Sequence, residues 1–327
     1  RSSTARTGLS SAKEREERKV EWRHKNLITL EGWTREELGF FLDQTEYMEE
    51  LLSRPIKKVP ALRGKIVVNC FFENSTRTRS SFEIAGKVLS ADVINWSSSG
   101  SSASKGESLR DTVWTLEAMA ADAVVVRHGE VGVPDYLAKK LKRASIFNAG
   151  DGTNGHPTQA LLDLYTARQK LGNLEGARMA IIGDVLHSRV ARSNIQAFRK
   201  MGVHVTLSGP ATLMPENTAS LGVGYVSDAR EAARGADILY FLRMQRERQE
   251  DGLIPSIDEY HRRWGGTDSL VSLSSPRAVV MHPGPMNRGM EIASSVADGP
   301  RSVILEQVRS GVAVRMALLY LCLGGVR

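Results

Sequence analysis

The sequence predicts an α/β protein with two doubly wound parallel-sheet domains joined by helices. Three observations point there. Apolar, partly β-branched runs alternate with stretches of helical periodicity from about residue 65 onward, the pattern of repeated strand–helix units. The alternation pauses at one long helical stretch, Pro157–Leu171, and then restarts. The 327 residues are enough for two domains of ordinary size, each with its own core.

Taken in order, residues 1–11 are Ser- and Arg-rich without acids, as in a transit peptide. Glu14, Glu16 and Glu17 follow at once, so a mobile arm over residues 1–24 is expected instead. Thr34 and Glu37 form a capping box, and Leu38, Phe41, Leu42, Met48 and Leu52 mark one helix face behind it. Lys65–Cys70 reads as a buried strand, and Phe82, Ile84, Ala85, Val88 and Leu89 place a helix after it. A short strand near Val93–Trp96, the polar loop Ser97–Gly106, a helix near Ser108–Ala120 and the strand Ala123–Arg127 come next. Pro134 suits the first turn of a helix over Tyr136–Leu141, before a strand at Ser145–Asn148. Beyond the long helix the spacing predicts strands at Met179–Ile182, His204–Ser208, Gly224–Val226, Ile238–Phe241 and Val279–Met281. Helices are expected over Ser188–Met201, after Asp228, and near Arg301–Leu323.

Composition narrows the function. Residues 1–25 carry eight Lys or Arg against four Glu, so +4 of the net charge of +7 is local and the body is only mildly basic. Aromatics make up 6% and interleave with no basic stripe, which excludes a nucleic-acid binder. A mildly basic body does suit small anionic substrates. Cys70 and Cys322 are expected to be structural thiols in a reducing cytosol. No Cys/His cluster has metal-ligand spacing, and the most apolar run, Val312–Leu323, is short and interrupted by Arg315, so neither a metal nor a membrane is expected. Ile181-Ile182-Gly183-Asp184 ends a strand, but the glycines of a dinucleotide fingerprint do not follow, which argues against a nicotinamide cofactor.

The chemistry is concentrated at predicted strand ends, where open α/β sheets bind ligands. After the first strand come Ser75-Thr76-Arg77-Thr78-Arg79, which enter a helix. A helix N-terminus offers unpaired N–H groups and positive potential, and guanidiniums grip two oxygens at once, so this is an oxyanion site. Other strand ends supply Arg127 and His128, the glycine-rich turn Asn148–Gln159 with His156, then Asp184, His187 and Arg189, then Arg243 and Gln245, and finally His282-Pro283-Gly284-Pro285. Cations and amides dominate, no nucleophile has an adjacent base, and no carboxylates are paired. Such a site acts by electrostatics and positioning.

These residues carry a resemblance. The run Ser75–Arg79 resembles the carbamoyl-phosphate loop of the transcarbamylases. Phe71–Ser80, Ser101–Glu107, Val126–His128, Asn148–Leu164, Gly183–Ser193, Asp237–Arg248 and Met281–Ile292 are similar to successive motifs of the aspartate carbamoyltransferases, in order. The resemblance implies that residues 25–156 bind carbamoyl phosphate, completed by a C-terminal helix (301–327) returning to them, and that 157–300 bind aspartate. It implies that Ser75, Thr76, Arg77 and Thr78 hold the phosphate, and that Thr78, Arg127 and His156 face the carbonyl oxygen. Gln159 and the backbone around Gly284 and Pro285 orient the carbamoyl amide. Arg77, Thr78, Arg127 and His156 are then the catalytic groups. Lys105, Arg189, Arg243 and Gln245 receive aspartate, with Ser101 and Lys105 lent by a neighbouring subunit of a cytoplasmic homotrimer. No cofactor is implied. The resemblance leaves room for a larger assembly with dihydroorotase or regulatory chains. After Pro285 the sequence reads Met286-Asn287-Arg288, where a well-known form of the family has a shorter turn with Leu-Pro-Arg. The readings that compete are carbamoyl transfer to ornithine or another amine, and a catalytically silent subunit that scaffolds a partner. The ornithine enzymes carry a His-Cys-Leu-Pro turn and a Ser-Met-Gly run, both absent here. Intact Arg77, Arg127, His156 and Gln159 oppose the silent subunit.

Overall fold

Every strand of the two sheets runs parallel to its neighbours, and the side chains of the inner strands alternate between two cores. The structure is a computed structural model that describes residues 20–97, 108–245, 253–254 and 256–324. The end of the predicted mobile arm is packed instead: Trp22 is buried against Trp33 and Phe41, and His24 meets Glu37 at 2.9 Å; the rest of the arm lies outside the described residues, as does the loop with Ser101 and Lys105.

The first half contains α1 (Arg35–Ser53), β1 (Ile66–Phe71), α2 (Thr76–Val88), β2 (Asp92–Ser97), α3 (Leu109–Ala118), β3 (Ala123–His128), α4 (Val133–Ala138) and β4 (Ser145–Asp151). Then α5 (Pro157–Leu171) leads to β5 (Arg178–Ile182), α6 (Arg189–Lys200), β6 (His204–Ser208), β7 (Gly224–Tyr225), α7 (Ala229–Ala233) and β8 (Ile238–Phe241). The chain finishes through α8 (Ile257–Trp264), α9 (Asp268–Val271), β9 (Val279–Met281), α10 (Ser294–Ala297) and α11 (Ile304–Leu323). The sheet orders are β2-β1-β3-β4 and β7-β6-β5-β8-β9. Each sheet reverses its winding once, between β1 and β3 and between β5 and β8. Those are the two crevices where ligand loops diverge.

Period-2 alternation explains the layers. In β1, Val67 and Phe71 face one core while Val68 and Cys70 face another; β3 divides Ala123 and Val125 from Val124 and Val126 in the same way. In β5, Met179 and Ile181 join the core that Val67 entered, whereas Ala180 and Ile182 face a third core. One apolar layer therefore lies between the sheets and holds α5, α6 and α11, and each sheet covers its far face with its own helices. The C-terminal helix packs on α1, α2 and α5, so it returns to the first half as expected.

The predicted capping box forms: the Glu37 N–H donates to Thr34 Oγ1 at 3.1 Å, and the Thr34 N–H to Glu37 Oε2 at 2.8 Å. Lys200, at the C-terminal end of α6, donates to the carbonyls of Leu30 at 2.7 Å, Trp33 at 2.6 Å, and Glu31, tying the second half to the segment before α1. Cys70 is buried, and burial pushes its thiol up to about 12, as for an inert core thiol. Ile84 departs from expectation. It lies on α2 at a periodic apolar position but is 47% exposed. Among the described residues no helix is long and apolar enough to cross a membrane.

Candidate active site

A cleft of about 1160 Å³ opens at the C-terminal ends of both sheets, and loops from both crevices line it. From the β1–β3 crevice, Ser75 stands at the N-cap of α2 with extended backbone, yet its side chain makes no capping hydrogen bond. The N–H groups of the first turn of α2 point out unpaired within the helix, as at any helix start. Arg127 leaves the end of β3 and donates through NH1 to the Ala149 carbonyl at 3.1 Å.

His156 is the N-cap of α5 and Pro157 opens the helix. The His156 N–H donates to Ser193 Oγ at 2.8 Å, so the second half fixes the backbone of a residue whose side chain lines the cleft. Gln159 sits in the first turn of the same helix, and its Nε2 donates to Asp163 Oδ1 at 3.0 Å.

The β5–β8 crevice contributes Arg189, Arg243 and Gln245. Ser188 caps α6 by accepting from the Ala191 N–H, which sets Arg189 at the first helical position. Its guanidinium is almost wholly buried and donates to Glu73 Oε2 at 2.9 Å. It lies against Gly150, where a Cβ would come within 2.9 Å of Arg189 Cζ and where φ is +122°. Only glycine fits there on both counts. Arg243 donates to Gln245 Oε1 at 3.3 Å, so the two side chains share a side of the extended segment, as their spacing predicts.

Two carboxylates tie these parts together, and neither stands out in the sequence. Glu73 meets Arg189 and also Arg127, with Arg127 Nε 3.3 Å away, so it joins the loops of the two sheets. Asp163, fully buried on α5, accepts from Gln159, Asn194, Tyr240 and Gln307. Burial pushes its carboxyl up to about 6 against the opposing effect of those donors. A signal for Glu73 was its place beside the anion loop. Asp163 had none, because its partners are distant in sequence.

The turn after β9 completes the cleft. The His282 N–H donates to Gln307 Oε1 at 3.0 Å, and His282 Nδ1 accepts from the Gly284 N–H at 2.8 Å. A backbone N–H can only donate, so Nδ1 is unprotonated and Nε2–H faces Glu291 Oε1 at 3.1 Å. Burial first, then repulsion from Arg77 and Arg243, holds the imidazole below its usual pKa against the pull of Glu291. Gly284 has φ +62°, and a Cβ there would lie 2.7 Å from Arg77 Cζ. The turn from the second half thereby closes over the anion loop. Desolvation, and then the like charge of Arg243, lowers the pKa of Arg77. Two guanidiniums that repel each other in one cleft favour an anionic occupant.

All the predicted carbamoyl-phosphate residues, together with Arg189, Arg243 and Gln245, line this one cleft. Ser101 and Lys105 lie outside the described residues. His128 and His187 do not line it: His128 Nδ1 accepts from the Glu130 N–H, and His187 pairs with Asp184 at 2.9 Å. Arg315 on α11 was not singled out as a site residue, yet it reaches the cleft wall, buried, donating to Thr158 Oγ1 at 3.2 Å. Among the described residues no three His, Cys, Asp or Glu side chains are placed to hold a metal.

Two parallel sheets opening on one cleft lined with guanidiniums define an α/β enzyme that acts on anions by positioning. Comparison with known proteins narrows the class. The family model for the aspartate/ornithine carbamoyltransferase carbamoyl-P binding domain matches residues 25–169, and that for the Asp/Orn binding domain matches residues 175–322. The aspartate carbamoyltransferase catalytic subunit of Anaeromyxobacter sp. (strain K) is 55% identical over 304 residues, 93% of this chain and 97% of that one. Aspartate transcarbamoylase from Trypanosoma cruzi, solved with N-(phosphonacetyl)-L-aspartic acid, superposes with a TM-score of 0.84 at 30% identity, covering 92% of this chain and 97% of that one. Ornithine carbamoyltransferase from Thermus thermophilus superposes with a TM-score of 0.81 at 25% identity, over 92% and 99%. The chain belongs to the aspartate/ornithine carbamoyltransferase family.

Proposed function

We propose that the cleft transfers the carbamoyl group of carbamoyl phosphate to the amine of L-aspartate, giving N-carbamoyl-L-aspartate and phosphate. The observation that carries this reading is that Arg189 and Arg243, from the second sheet, converge on the cleft beside the Ser75–Thr78 loop of the first. Two cations beyond the phosphate loop match the two carboxylates of aspartate. An ornithine site wants a free acid for the side-chain ammonium. The sequence offers Asp184 and Glu247 near Arg243; Asp184 is fully buried and paired with His187, Glu247 lies outside the described residues, and Glu73, the acid that lines the cleft among the described residues, is held by two arginines. The strong identity to proteins named as aspartate carbamoyltransferases supports the same acceptor.

The residues divide the work. Ser75, Thr76, Arg77 and Thr78 bind the phosphate, and Arg77 offsets the charge that grows on it as it leaves. The aspartate amine attacks the carbamoyl carbon, and the oxygen that gains negative charge is held by Arg127 and His156 with Thr78. Gln159 and the backbone at Gly284 and Pro285 orient the carbamoyl amide. Arg189, Arg243 and Gln245 hold the aspartate carboxylates, with Lys105 and Ser101 supplied by the adjacent subunit of a homotrimer. Residues 25–156 with 301–327 form the carbamoyl-phosphate domain and 157–300 the aspartate domain. The reaction is the committed step toward pyrimidines, carried out in the cytoplasm.

The test of the acceptor supplies carbamoyl phosphate with aspartate or with ornithine and measures each carbamoylated product. Aspartate is expected to be strongly preferred; preference for ornithine overturns the reading. Shared sites predict that inactive Lys105→Ala and Arg77→Ala proteins regain activity when their subunits are mixed. No recovery after verified exchange refutes sharing.

A further inference from the structure

The carboxylate of Asp163 never touches the cleft, yet it governs which way the amides around the cleft point. An ionised carboxylate only accepts hydrogen bonds. Each of its four neighbours must therefore present a donor: Gln159 Nε2 at 3.0 Å, Gln307 Nε2 at 2.7 Å, Asn194 Nδ2 at 3.0 Å and the Tyr240 hydroxyl at 2.7 Å. For Gln307 this leaves Oε1 to accept the His282 N–H, which it does. For Gln159 it leaves Oε1 as the polar atom available to the cleft, and no described residue donates to it.

Resting on the carbamoyl-transfer reading above, we propose that Asp163 is a specificity-determining positioning residue: it locks the Gln159 amide so that the cleft offers an acceptor, selecting an acyl phosphate whose acyl group bears an N–H. Carbamoyl phosphate has an NH2 where acetyl phosphate has a methyl group. Against the locked Gln159 oxygen, the methyl leaves a desolvated acceptor unpaired, which is the costly mismatch. Without Asp163 the amide is free to turn its NH2 inward, and the preference for an N–H donor is lost. The same carboxylate holds Gln307 and, through it, the His282 turn, so one buried group aligns both sides of the carbamoyl subsite.

The experiment measures two quantities in one assay of N-carbamoyl-L-aspartate formation: the KM for carbamoyl phosphate and the competitive Ki of acetyl phosphate. In the unaltered enzyme Ki is expected to exceed KM by at least about tenfold. Asp163→Leu should raise KM at least about tenfold while moving Ki less than about threefold, a split that general loosening would not produce. Tyr240→Phe, which removes a donor from the other carboxylate oxygen, should leave the ratio unchanged. Equal changes of KM and Ki in Asp163→Leu, no change in either, or the same split in Tyr240→Phe overturns the proposal. If Asp163→Leu does not fold, neutron diffraction from deuterium-exchanged crystals of the unaltered enzyme decides: ND2 of Gln159 facing Asp163 supports it, and ND2 facing the cleft overturns it. An unaltered enzyme that forms no N-carbamoyl-L-aspartate instead refutes the assigned reaction, so the two failures are distinguishable.

Discussion

The anion loop of the first sheet and the arginine pair of the second face each other across one cleft, but they are built differently. The first is a contiguous run at the start of α2, where backbone N–H groups and short hydroxyls are the donors on offer beside Arg77. The second has no contiguous run. Arg189 and Arg243 come from separate strand ends and reach inward on long side chains, one restrained by Glu73 and the other beside Gln245. A phosphate is nearly the same object in every substrate, and on the proposed assignment a rigid backbone cradle serves it. An acceptor is told from its rivals by where its charges lie, and on the proposed assignment the separately placed guanidiniums of the second wall meet those charges. Changing a residue on one wall should therefore damage a different kinetic quantity from changing one on the other.

The largest expected effect is on the first wall. In the proposed reaction Arg77 faces charge that grows as phosphate departs, so it should matter more in the transition state than in the ground state. Arg77→Ala should lower kcat at least about 10²-fold. Steady-state kinetics showing near-normal kcat and only a raised KM would make Arg77 a mere binder and erase the contrast.

Glu73 sharpens the comparison because it touches both walls. Removing it frees Arg127 and Arg189 from their shared anchor. Glu73→Ala should lower kcat/KM for aspartate and for carbamoyl phosphate alike, each by about tenfold, because Arg127 serves one and Arg189 the other. A loss confined to one substrate would place Glu73 on that wall alone.

The smallest effect concerns the turn that closes one wall over the other. His282 is neutral in the fold and its pKa lies below the usual 6.5. A depressed histidine contributes stability that is present above about pH 6.5 and lost as the pH falls, because the unfolded chain then takes up a proton more readily. Asp163, pushed up to about 6, acts in the opposite sense: its contribution grows as the pH falls through that range. That contribution is common to the enzyme and a His282→Gln variant. The difference in Tm between them should therefore narrow from pH 7.5 to pH 5.5. A constant or widening difference contradicts the neutral tautomer.

The same contrast explains what the sequence made legible. The long helix Pro157–Leu171 and the strand His204–Ser208 have the predicted limits, because periodicity and flanking Pro or Gly mark them. The short helices α8, α9 and α10 carry too few turns for periodicity to show. Ser75–Thr78 was visible as a contiguous motif, and Arg243 with Gln245 as an Arg-x-Gln at a strand end. Glu73 and Asp163 were not visible as site residues, because a carboxylate gains meaning only from the donors that the fold brings to it. Asp163 and Gln307 lie at opposite ends of the second half of the chain, and only the packing of α11 against α5 joins them. Ile84 misled because helical spacing cannot tell a core face from the rim of a cleft.

Arg243→Ala offers the most direct test of the division between the walls. In one purified protein, carbamoyl phosphate affinity is measured by calorimetry and aspartate KM by product formation. The account predicts an aspartate KM raised by about 10²-fold or more, as expected for loss of a charge-assisted grip, with carbamoyl phosphate bound within about threefold of normal. Unchanged aspartate kinetics, or equal loss of both substrates, would contradict it.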